Sequence, residues 1–440
     1  LGGTGKSVSK MSSFFANASY SYLDKYILTG ALRYDGSDII GNDNQFTPLW
    51  NVGLRWNLHR EEFMKRWMWV DQFAVRGGFG YTGSIDKNAL PFVVMTLGQS
   101  VIYDGQTVPT SFSYPNPNVK WQTKQDMNVG LDLSLFDYRL ELGVNYYHNI
   151  TRDVLDRKAL PYSSGRSEVT ENVADIYNSG WEIDLGVTLL KNKSFQWYAK
   201  ANIAINDNKV KNTYYKDTED LPRATLSNAH QFVENQPVNG WYGYKFAGIN
   251  PINGAVMTYT GNGEATLDMS VSGATWPTPS VFYLGNLTPP VVGGFSTSAN
   301  WKQLIFSANF EFKTGHKIKS FNTFRSLDAR NRHTSEANRW REPGDITNVP
   351  AMSEAFTTYS SYMYDILLEK GNYLRCSYMT LGYNLKPEWL HKIGFSTARL
   401  SFTAKNLFTI SSYSGIDPAL MGSFGYPNSR KYTITLNVGF

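Results

Sequence analysis

The chain has 440 residues, of which 15% are aromatic and only 18% are charged, and its formal net charge is +5. The mean hydropathy of −0.36 is low, and no run of about 18 apolar residues occurs, so a transmembrane helix is excluded. The positive charge is weak and scattered, which argues against nucleic acid as a partner. A single cysteine, Cys376, excludes an internal disulfide framework.

The first eleven residues are rich in Gly, Ser and Lys. We expect residues 1–11 to be the remnant of an extracellular loop and residues 12–440 to form one domain. Leu1–Ser7 is similar to the end of a phosphate-binding loop, but the Gly and the strand that precede such a loop are not in the sequence, so a flexible loop is favoured. No signal peptide opens the chain, as expected of a processed or partial product.

From residue 12 onward, apolar and polar residues alternate in segment after segment, which is the pattern of β-strands with one apolar face. Short turns such as Leu23–Lys25 join the segments in pairs, and long polar loops, among them residues 151–178 and 207–290, separate the pairs. Between two of the segments, Glu61–Val70 mixes aromatic and charged residues and predicts a short interfacial helix at a membrane edge. The predicted strands cover residues 14–22, 26–34, 50–58, 73–81, 127–135, 140–146, 181–189, 195–205, 292–301, 304–312, 379–385, 400–404 and 431–440.

The predicted hairpin at residues 127–146 shows what the polar face contains. Asp126, Asp132, Arg139 and Glu141 fall on the parity opposite to the apolar residues. A small filled barrel or a sandwich core would not desolvate so many charges at a tolerable cost, whereas a wide barrel keeps them hydrated or pairs them with a plug. Alternating segments of about the length that crosses a bilayer, roughly 9 to 11 residues, also recur down the whole chain. Together these features predict an all-β fold, a transmembrane antiparallel β-barrel.

Short turns and long loops alternate strictly, as they do in outer-membrane barrels, where the outer loops carry recognition. The last strand is entered from a long loop, so we expect Phe440 to lie on the periplasmic side and Leu1 outside the cell. A complete barrel has an even number of strands, and roughly thirteen are predicted here. We therefore expect a C-terminal part of a larger barrel, with the remaining barrel strands as partners because open sheet edges are not tolerated in lipid.

Short motifs along the chain resemble the barrel of SusC/RagA-type TonB-dependent transporters and occur in the order of that family. Gln122 departs from the pattern, because the family has Glu after the preceding Trp. The motifs are Asp24–Thr29, Leu32–Ser37, Val75–Gly83, Asn116–Trp121, Asn178–Glu182, Arg339–Asp345, Leu374–Arg375, Lys405–Phe408 and Gly415–Pro418.

The resemblance implies a barrel of about 22 strands with an N-terminal plug and a TonB box. It implies import of oligosaccharides or oligopeptides across the outer membrane of a Gram-negative bacterium. The partners implied are a SusD-like surface lipoprotein, TonB acting through a plug that is not in this chain, and the surrounding lipid and lipopolysaccharide. The strands absent from this chain would number about nine, in agreement with the topology argument.

Several motifs suggest chemistry but have simpler explanations. Gly78–Gly83 fits a dinucleotide-binding pattern, yet it ends an alternating strand without a following helix. The six histidines are scattered, Asn42–Asn44 and Asn206–Asn208 lack the spacing of a calcium loop, and no nucleophile elbow occurs. Cys376 falls on the polar parity of its strand and is predicted to be an inert thiol. No catalytic residue, cofactor or metal site is predicted, and the protein is not expected to be an enzyme.

Aromatic residues in the long loops are the candidates for contact with a substrate or a lid, since sugars and peptides bind to flat rings combined with polar groups. The alternative is that these rings pack the loops onto one another or onto a partner lipoprotein. The candidates are Tyr103, Tyr114, Tyr162, Trp241, Tyr242, Tyr244, Trp276, Tyr283, Tyr362 and Tyr364.

Two functions remain open at this point. The first is energised import as the barrel of a SusCD-type complex. The second is a passive porin or the structural barrel of a secretion or surface-display machine. A plug and a TonB-contacting segment upstream of Leu1 distinguish the first from the second.

Overall fold

The fold is described from a computed structural model of the chain. The described residues are 10–38, 40, 45–85, 95–103, 106–112, 120–159, 163, 168–221, 232–267, 280–320, 337–351, 364–390, 394–421 and 425–440. Within them, no helix is long and apolar enough to cross a membrane.

Strands dominate the secondary structure. In chain order they are β1 (Met11–Tyr22), β2 (Tyr26–Ser37), β3 (Phe46–Asn57), β4 (Val70–Ser84), β5 (Met95–Tyr103), β6 (Gln106–Phe112), β7 (Gln122–Leu135), β8 (Leu140–Ala159), β9 (Glu168–Lys191), β10 (Phe195–Lys211), β11 (Gly240–Gly243), β12 (Phe246–Ile249), β13 (Val256–Tyr259), β14 (Ala265–Leu267), β15 (Phe282–Asn286), β16 (Val291–Trp301), β17 (Leu304–Thr314), β18 (Lys317–Lys319), β19 (Leu368–Lys370), β20 (Tyr373–Asn384), β21 (Thr397–Lys405), β22 (Thr409–Ser411) and β23 (Lys431–Gly439).

In the described part of the chain, helical structure is confined to single turns. The α-helix α1 comprises Pro387–Leu390. The 3₁₀ turns are Leu58–Arg60, Glu62–Met64, Thr218–Asp220, Asp365–Leu367 and Pro418–Leu420.

Thirteen strands form one unbranched order in the main sheet, β1-β2-β3-β4-β7-β8-β9-β10-β16-β17-β20-β21-β23, and β22 pairs with β20 beside it. Strands that follow one another in this order also follow one another along the chain, apart from the short strands inserted between them. The roughly thirteen strands predicted from alternation are thereby confirmed. Within the described residues β1 and β23 each have a single neighbour, so the barrel is not closed by this chain.

The chain divides into two compact units. The first comprises Leu1–Leu135, Gly143–Gly180 and Asn208–Tyr214, and the second comprises Phe136–Leu142, Trp181–Asp207 and Tyr215–Phe440.

In the first unit, the hairpin of β1 and β2 turns tightly because Leu23 and Asp24 both adopt left-handed backbone angles, each with φ of 53°. Two residues with positive φ give a turn whose twist matches that of the strands. Asn57 supports the turn, because its Nδ2 donates to the carbonyl oxygen of Asp24 at 2.7 Å. The register then aligns Val52, Phe79 and Met127 across β3, β4 and β7, and these three exposed side chains form one apolar row.

In the second unit, a longer apolar row crosses six strands. Pairwise register joins Ile434, Phe402, Leu381, Phe306, Ala299 and Trp197, on β23, β21, β20, β17, β16 and β10. Ile434 and Leu436 are 75% and 62% exposed, and neither lies against a helix or a second sheet in the described structure. An apolar face that no other element covers is what a lipid-facing sheet requires.

The structure corrects three local predictions. Glu61–Val70 is not one short helix: Glu62–Met64 is a 3₁₀ turn, the residues up to Trp69 form further turns, and β4 begins at Val70. The predicted loop at residues 151–178 is largely strand, since β8 runs to Ala159 and β9 begins at Glu168. The predicted loop at residues 207–290 contains five short strands of its own, because its apolar residues are numerous enough to form a separate core.

Cys376 does not lie on the polar parity. The register of β17 and β20 shifts between Asn309 and Phe310, and Cys376 pairs with Phe310 on the apolar parity of β17. This irregularity at Ser377 changes the parity of every residue before it, which alternation alone does not reveal. The thiol is buried and free, and its inertness stays a prediction.

Candidate functional site

The polar face of the first unit carries an arginine pair on one carboxylate. Arg55 and Arg76 are in register on β3 and β4, and Asp132 lies on β7. Arg55 Nη1 donates to Asp132 Oδ2 at 2.7 Å, and Arg76 Nε lies 3.5 Å from Asp132 Oδ1. Two guanidinium groups share one carboxylate, so the cluster keeps one positive charge, and all three side chains remain partly exposed. An anionic group in solution can neutralise that charge.

In the second unit, the long connections between wall strands fold on a core of their own. We call the described parts of residues 215–287, 315–372 and 406–430 the connection layer. The strands β11 and β15 pair in one small sheet, and β12, β13 and β14 pair in another. Burial of large apolar side chains stabilises such a layer by about 1.5–3 kcal/mol for each one. The core consists of Leu221, Val233, Tyr242, Tyr244, Ile249, Val256, Val281, Tyr364 and Leu367.

Hydrogen bonds join the first two connections of the layer. Phe246 N donates to Asp365 Oδ1 at 2.9 Å, and Asp365 N donates to the carbonyl oxygen of Tyr244 at 3.1 Å. Trp241 packs with Leu284 and Leu368 in a second buried cluster, and its Nε1 donates to the carbonyl oxygen of Lys317 at 2.8 Å. Residues far apart in sequence therefore hold both connections in one arrangement.

The third connection, between β21 and β23, binds to the second. Ser414 donates to both carboxylate oxygens of Glu369, from its backbone N at 2.7 Å and its Oγ at 2.6 Å. The hydroxyl of Tyr413 donates to the carbonyl oxygen of Lys319 at 3.1 Å. All three long connections of this unit thus form one folded layer rather than separate loops.

A buried ion pair ties this layer to a wall strand. Arg375 on β20 and Asp417 in the third connection are 4% and 7% exposed. Arg375 Nη2 donates to Asp417 Oδ1 at 2.5 Å, and its Nε donates to Thr409 Oγ1 at 3.1 Å. Asp417 also accepts from the backbone N of Ala419 at 2.9 Å. Such additional hydrogen bonds are what makes burial of two charges tolerable.

The ionisation of the buried aromatic hydroxyls argues for a passive role. Burial raises the pKa of Tyr242 well above its usual value, and the neighbouring Tyr283 adds to the effect. Burial also raises the pKa of Tyr283. Both hydroxyls therefore stay protonated at neutral pH and are not bases. Among the described residues, no group of three or more His, Cys, Asp or Glu side chains could hold a metal ion.

The structure places half of the predicted aromatic candidates together. Trp241, Tyr242, Tyr244 and Tyr364 are buried inside the connection layer, and Tyr283 is half-buried against its core. Their rings pack against other parts of the layer, while contact with a substrate or lid stays a prediction. Tyr114, Tyr162, Trp276, Tyr362 and the side chain of Tyr103 lie outside the described residues, as do Asn42–Asn44 and residues 1–9. Gly78–Gly83 lies within β4, as predicted.

Sequence reasoning did not find the Arg375–Asp417 pair or the Glu369–Ser414 contact. Leu374–Arg375 and Gly415–Pro418 both resemble family motifs, yet nothing in their spacing indicates that they meet. The sequence did contain two hints. Arg375 is a charged residue within a strand, and Asp417 directly precedes a Pro, where Asp is common as a turn or cap residue.

The topology of the main sheet, the exposed apolar rows and the folded long connections are those of part of the wall of an outer-membrane-type β-barrel. The family profile described as "TonB dependent receptor-like, beta-barrel" matches residues 3–311, and the chain belongs to this family. The family consists of outer-membrane proteins, so the chain is an outer-membrane barrel segment.

Relatives agree with this assignment. The chain is 29% identical over 465 residues to TonB-dependent receptor P3 of Formosa agariphila, covering 97% of this chain and 45% of that protein. It is 23% identical to TonB-dependent receptor SusC of Bacteroides thetaiotaomicron, covering 97% of this chain and 43% of that protein. The chain thus spans less than half the length of these curated relatives. Among solved structures, the RagAB peptide importer in its open-open state matches with a TM-score of 0.80 and 26% identity, covering 98% of this chain and 47% of that one.

Proposed function

We propose that the chain is the C-terminal portion of the barrel of a SusC-like importer, which takes up oligosaccharides or oligopeptides across the outer membrane with energy supplied through TonB. The observation that carries the proposal is the connection layer. Its core and its buried ion pair make the long connections a built structure, as recognition or docking of a lid requires. Most connections at the other ends of the strands are short, such as Leu23–Lys25 between β1 and β2.

The partner in this proposal is a SusD-like lipoprotein bound to the connection layer. Ile252 and Ile346 support it: both are exposed, and the two segments that carry them are joined by a hydrogen bond from Gly344 N to the carbonyl oxygen of Pro251 at 2.8 Å. Exposed apolar side chains on a rigid support are typical of protein interfaces. The C-terminus lies on the periplasmic side, and the barrel itself performs no covalent chemistry.

Uptake by cells that produce the full-length protein tests the proposal. Labelled oligosaccharides and labelled oligopeptides are offered separately, with and without an uncoupler of the proton-motive force. Uptake of one class that stops with the uncoupler, together with co-purification of a surface lipoprotein, is expected. Uptake that the uncoupler leaves unchanged would instead identify a passive porin, and purification without any lipoprotein would contradict the proposed complex.

A further inference from the structure

The connection between β3 and β4 is short but unusually well built. We call Leu58–Trp69 the interfacial turn. Consecutive backbone hydrogen bonds define it, from Met64 N to Glu61 O at 3.0 Å and from Trp67 N to Met64 O at 2.9 Å. Met64 is buried and fixes the turn from within.

One carboxylate holds the turn to three other residues. Glu61 accepts from the Tyr26 hydroxyl at 2.7 Å, from Lys25 Nζ at 3.0 Å and from Trp56 Nε1 at 3.1 Å. Arg60 adds a contact to the β1–β2 turn, because its Nη1 donates to Asp24 Oδ2 at 3.0 Å. The turn is therefore a fixed element rather than a flexible loop end.

This fixed turn presents apolar side chains to solvent. Phe63, Trp67, Met68 and Trp69 are all exposed, and Met68 is 91% exposed. The rings of Trp67 and Trp69 stack with their centres 5.9 Å apart and their planes 10° from parallel. Exposure of four large apolar groups is unfavourable in water, and clusters of this kind mark an interaction surface.

The charges of the turn are paired, with one exception. Lys25 neutralises Glu61, Asp24 neutralises Arg60, and Lys65 Nζ lies 2.8 Å from Glu62 Oε1. Arg66 is exposed and has no ion pair or hydrogen bond within the described part of the chain. A free guanidinium beside Trp67 fits a phosphate group, which it binds through two parallel hydrogen bonds.

The turn continues the apolar face of the sheet. Tyr26 and Trp56 are register partners on β2 and β3 with stacked rings 6.2 Å apart, and Tyr22 pairs with Tyr26 on the neighbouring strand. Aromatic residues at the end of an apolar face are typical of the boundary between hydrocarbon and water. The interfacial turn begins two residues after Trp56, so its exposed apolar groups come directly after this boundary in the sequence.

We propose that the interfacial turn is an anchor for glycerophospholipid headgroups, in which Trp67, Met68 and Trp69 enter the headgroup layer and the Arg66 guanidinium binds a lipid phosphate. The inference rests on the membrane placement in the proposed function, where the short turns face the periplasmic leaflet. It does not depend on TonB, on a lipoprotein or on the transported substrate.

The depth of the turn is measured on the full-length protein reconstituted into phosphatidylcholine and phosphatidylglycerol vesicles, with an environment-sensitive fluorophore on M68C. Cys376 is buried, and accessible cysteines outside the present sequence are first replaced by Ser, so that labelling is restricted to the new thiol. We expect a blue shift on reconstitution and strong quenching by lipids that are spin-labelled at the headgroup. K193C, in another exposed short turn, is the matched control and should be quenched by aqueous iodide instead. A label at residue 68 that iodide quenches as strongly as the control would overturn the proposal.

The phosphate contact is measured separately by counting phospholipids that stay bound to the purified protein in native mass spectrometry. Arg66→Gln is expected to weaken retention about fivefold. Lys65→Gln, which removes a neighbouring cation already paired with Glu62, should change it little. Equal loss in both variants would reduce the effect to net charge and overturn the role of Arg66. If uptake is energised but iodide quenches the label at residue 68 as strongly as the control, only the anchor is refuted. If uptake is not energised but spin-labelled lipids quench that label, only the proposed function is refuted.

Discussion

At the residue scale, the charge of Arg375 is almost completely buried. Its guanidinium has been removed from water almost completely, and Asp417 and Thr409 replace the lost hydration. Breaking such a pair leaves one uncompensated charge in the interior, whereas an exposed pair is hydrated in either state. The same distance between charged atoms therefore has different consequences at different depths.

We predict that Asp417→Asn lowers the free energy of unfolding by about 3 kcal/mol. Arg375 then stays buried with only the half-exposed Glu311, whose Oε1 lies 3.8 Å from Arg375 Nη1, as a counter-charge. Glu62→Gln, which breaks the exposed pair with Lys65, should cost less than about 1 kcal/mol. Denaturant titration of the reconstituted protein measures both. The double variant R375M/D417L should lose less free energy of unfolding than D417N, because it leaves no buried charge. A larger loss in the double variant would contradict this explanation.

Glu61 predicts a pH dependence. Hydrogen bonds from Tyr26, Lys25 and Trp56 lower the pKa of Glu61 from 4.5 to about 2. Between these two values the unfolded chain binds the proton more readily than the folded chain does, so this contribution to stability is complete above pH 4.5 and is lost as the pH falls to about 2. Unfolding measured across this range should show the decline in the native protein. In Glu61→Gln that part of the decline should vanish, and an identical curve would refute the assignment.

Tyr242 tests whether the buried rings serve packing. Its hydroxyl is fully buried and has no hydrogen-bond partner among the described residues. Tyr242→Phe should therefore leave stability unchanged or raise it slightly, because an unsatisfied polar group is removed. Tyr242→Ala should cost about 3–5 kcal/mol through the cavity it creates. Thermal unfolding distinguishes the two, and a strong loss of uptake in a stable Y242F would show instead that the hydroxyl contacts substrate.

At the scale of the element, each wall strand has two faces that obey different rules. On β23, Leu436 pairs with Leu400 in an apolar row, while Thr433 pairs with Thr403 on the opposite face. The two positions are three residues apart and have equal access to backbone hydrogen bonds. What separates them is the medium that each side chain meets.

We predict that Leu436→Arg destabilises the inserted protein by about 2–4 kcal/mol, since the charge would face hydrocarbon. Thr433→Arg, on the polar face of the same strand, should be tolerated within about 1 kcal/mol. Refolding into vesicles, followed by tryptophan fluorescence, measures the difference. Equal penalties at both positions would contradict a lipid-facing β23.

At the scale of the whole molecule, the wall and the connection layer rest on different interactions. The wall pairs strands that follow one another in the order of the main sheet, even where a long insertion separates them, for example residues 195–205 of β10 with residues 291–301 of β16. The layer joins residues as distant as Phe246 and Asp365. Long insertions between paired strands add little to the entropic cost of closing the hairpin. The wall is therefore able to form whether or not the insertion is folded.

This separation predicts the result of an excision. Replacing residues 212–287 by a short Gly/Ser linker removes β11–β15 but should leave the wall strands and the membrane insertion of the full-length protein intact, because β10 and β16 stay neighbours. Uptake and co-purification of a lipoprotein should be lost. Circular dichroism and gel migration before and after heating report on the wall. Uptake that persists at the native rate would show that the excised connection has no part in recognition.

The sequence by itself determined the number, order and apolar parity of the wall strands, because alternation with a period of two is a local signal and sequential strands pair with each other. It also led to the correct family, through short motifs such as Leu374–Arg375 and Gly415–Pro418. Only the tertiary structure decided that Arg375 and Asp417 meet and that Tyr242, Tyr244 and Tyr364 share one core. It also showed that Cys376 changes face at an irregularity of the strand. These features depend on contacts between residues far apart in the chain, or on one extra residue in the hydrogen-bonding ladder between two strands. Neither changes the alternation of apolar and polar residues in a way that the sequence alone reveals.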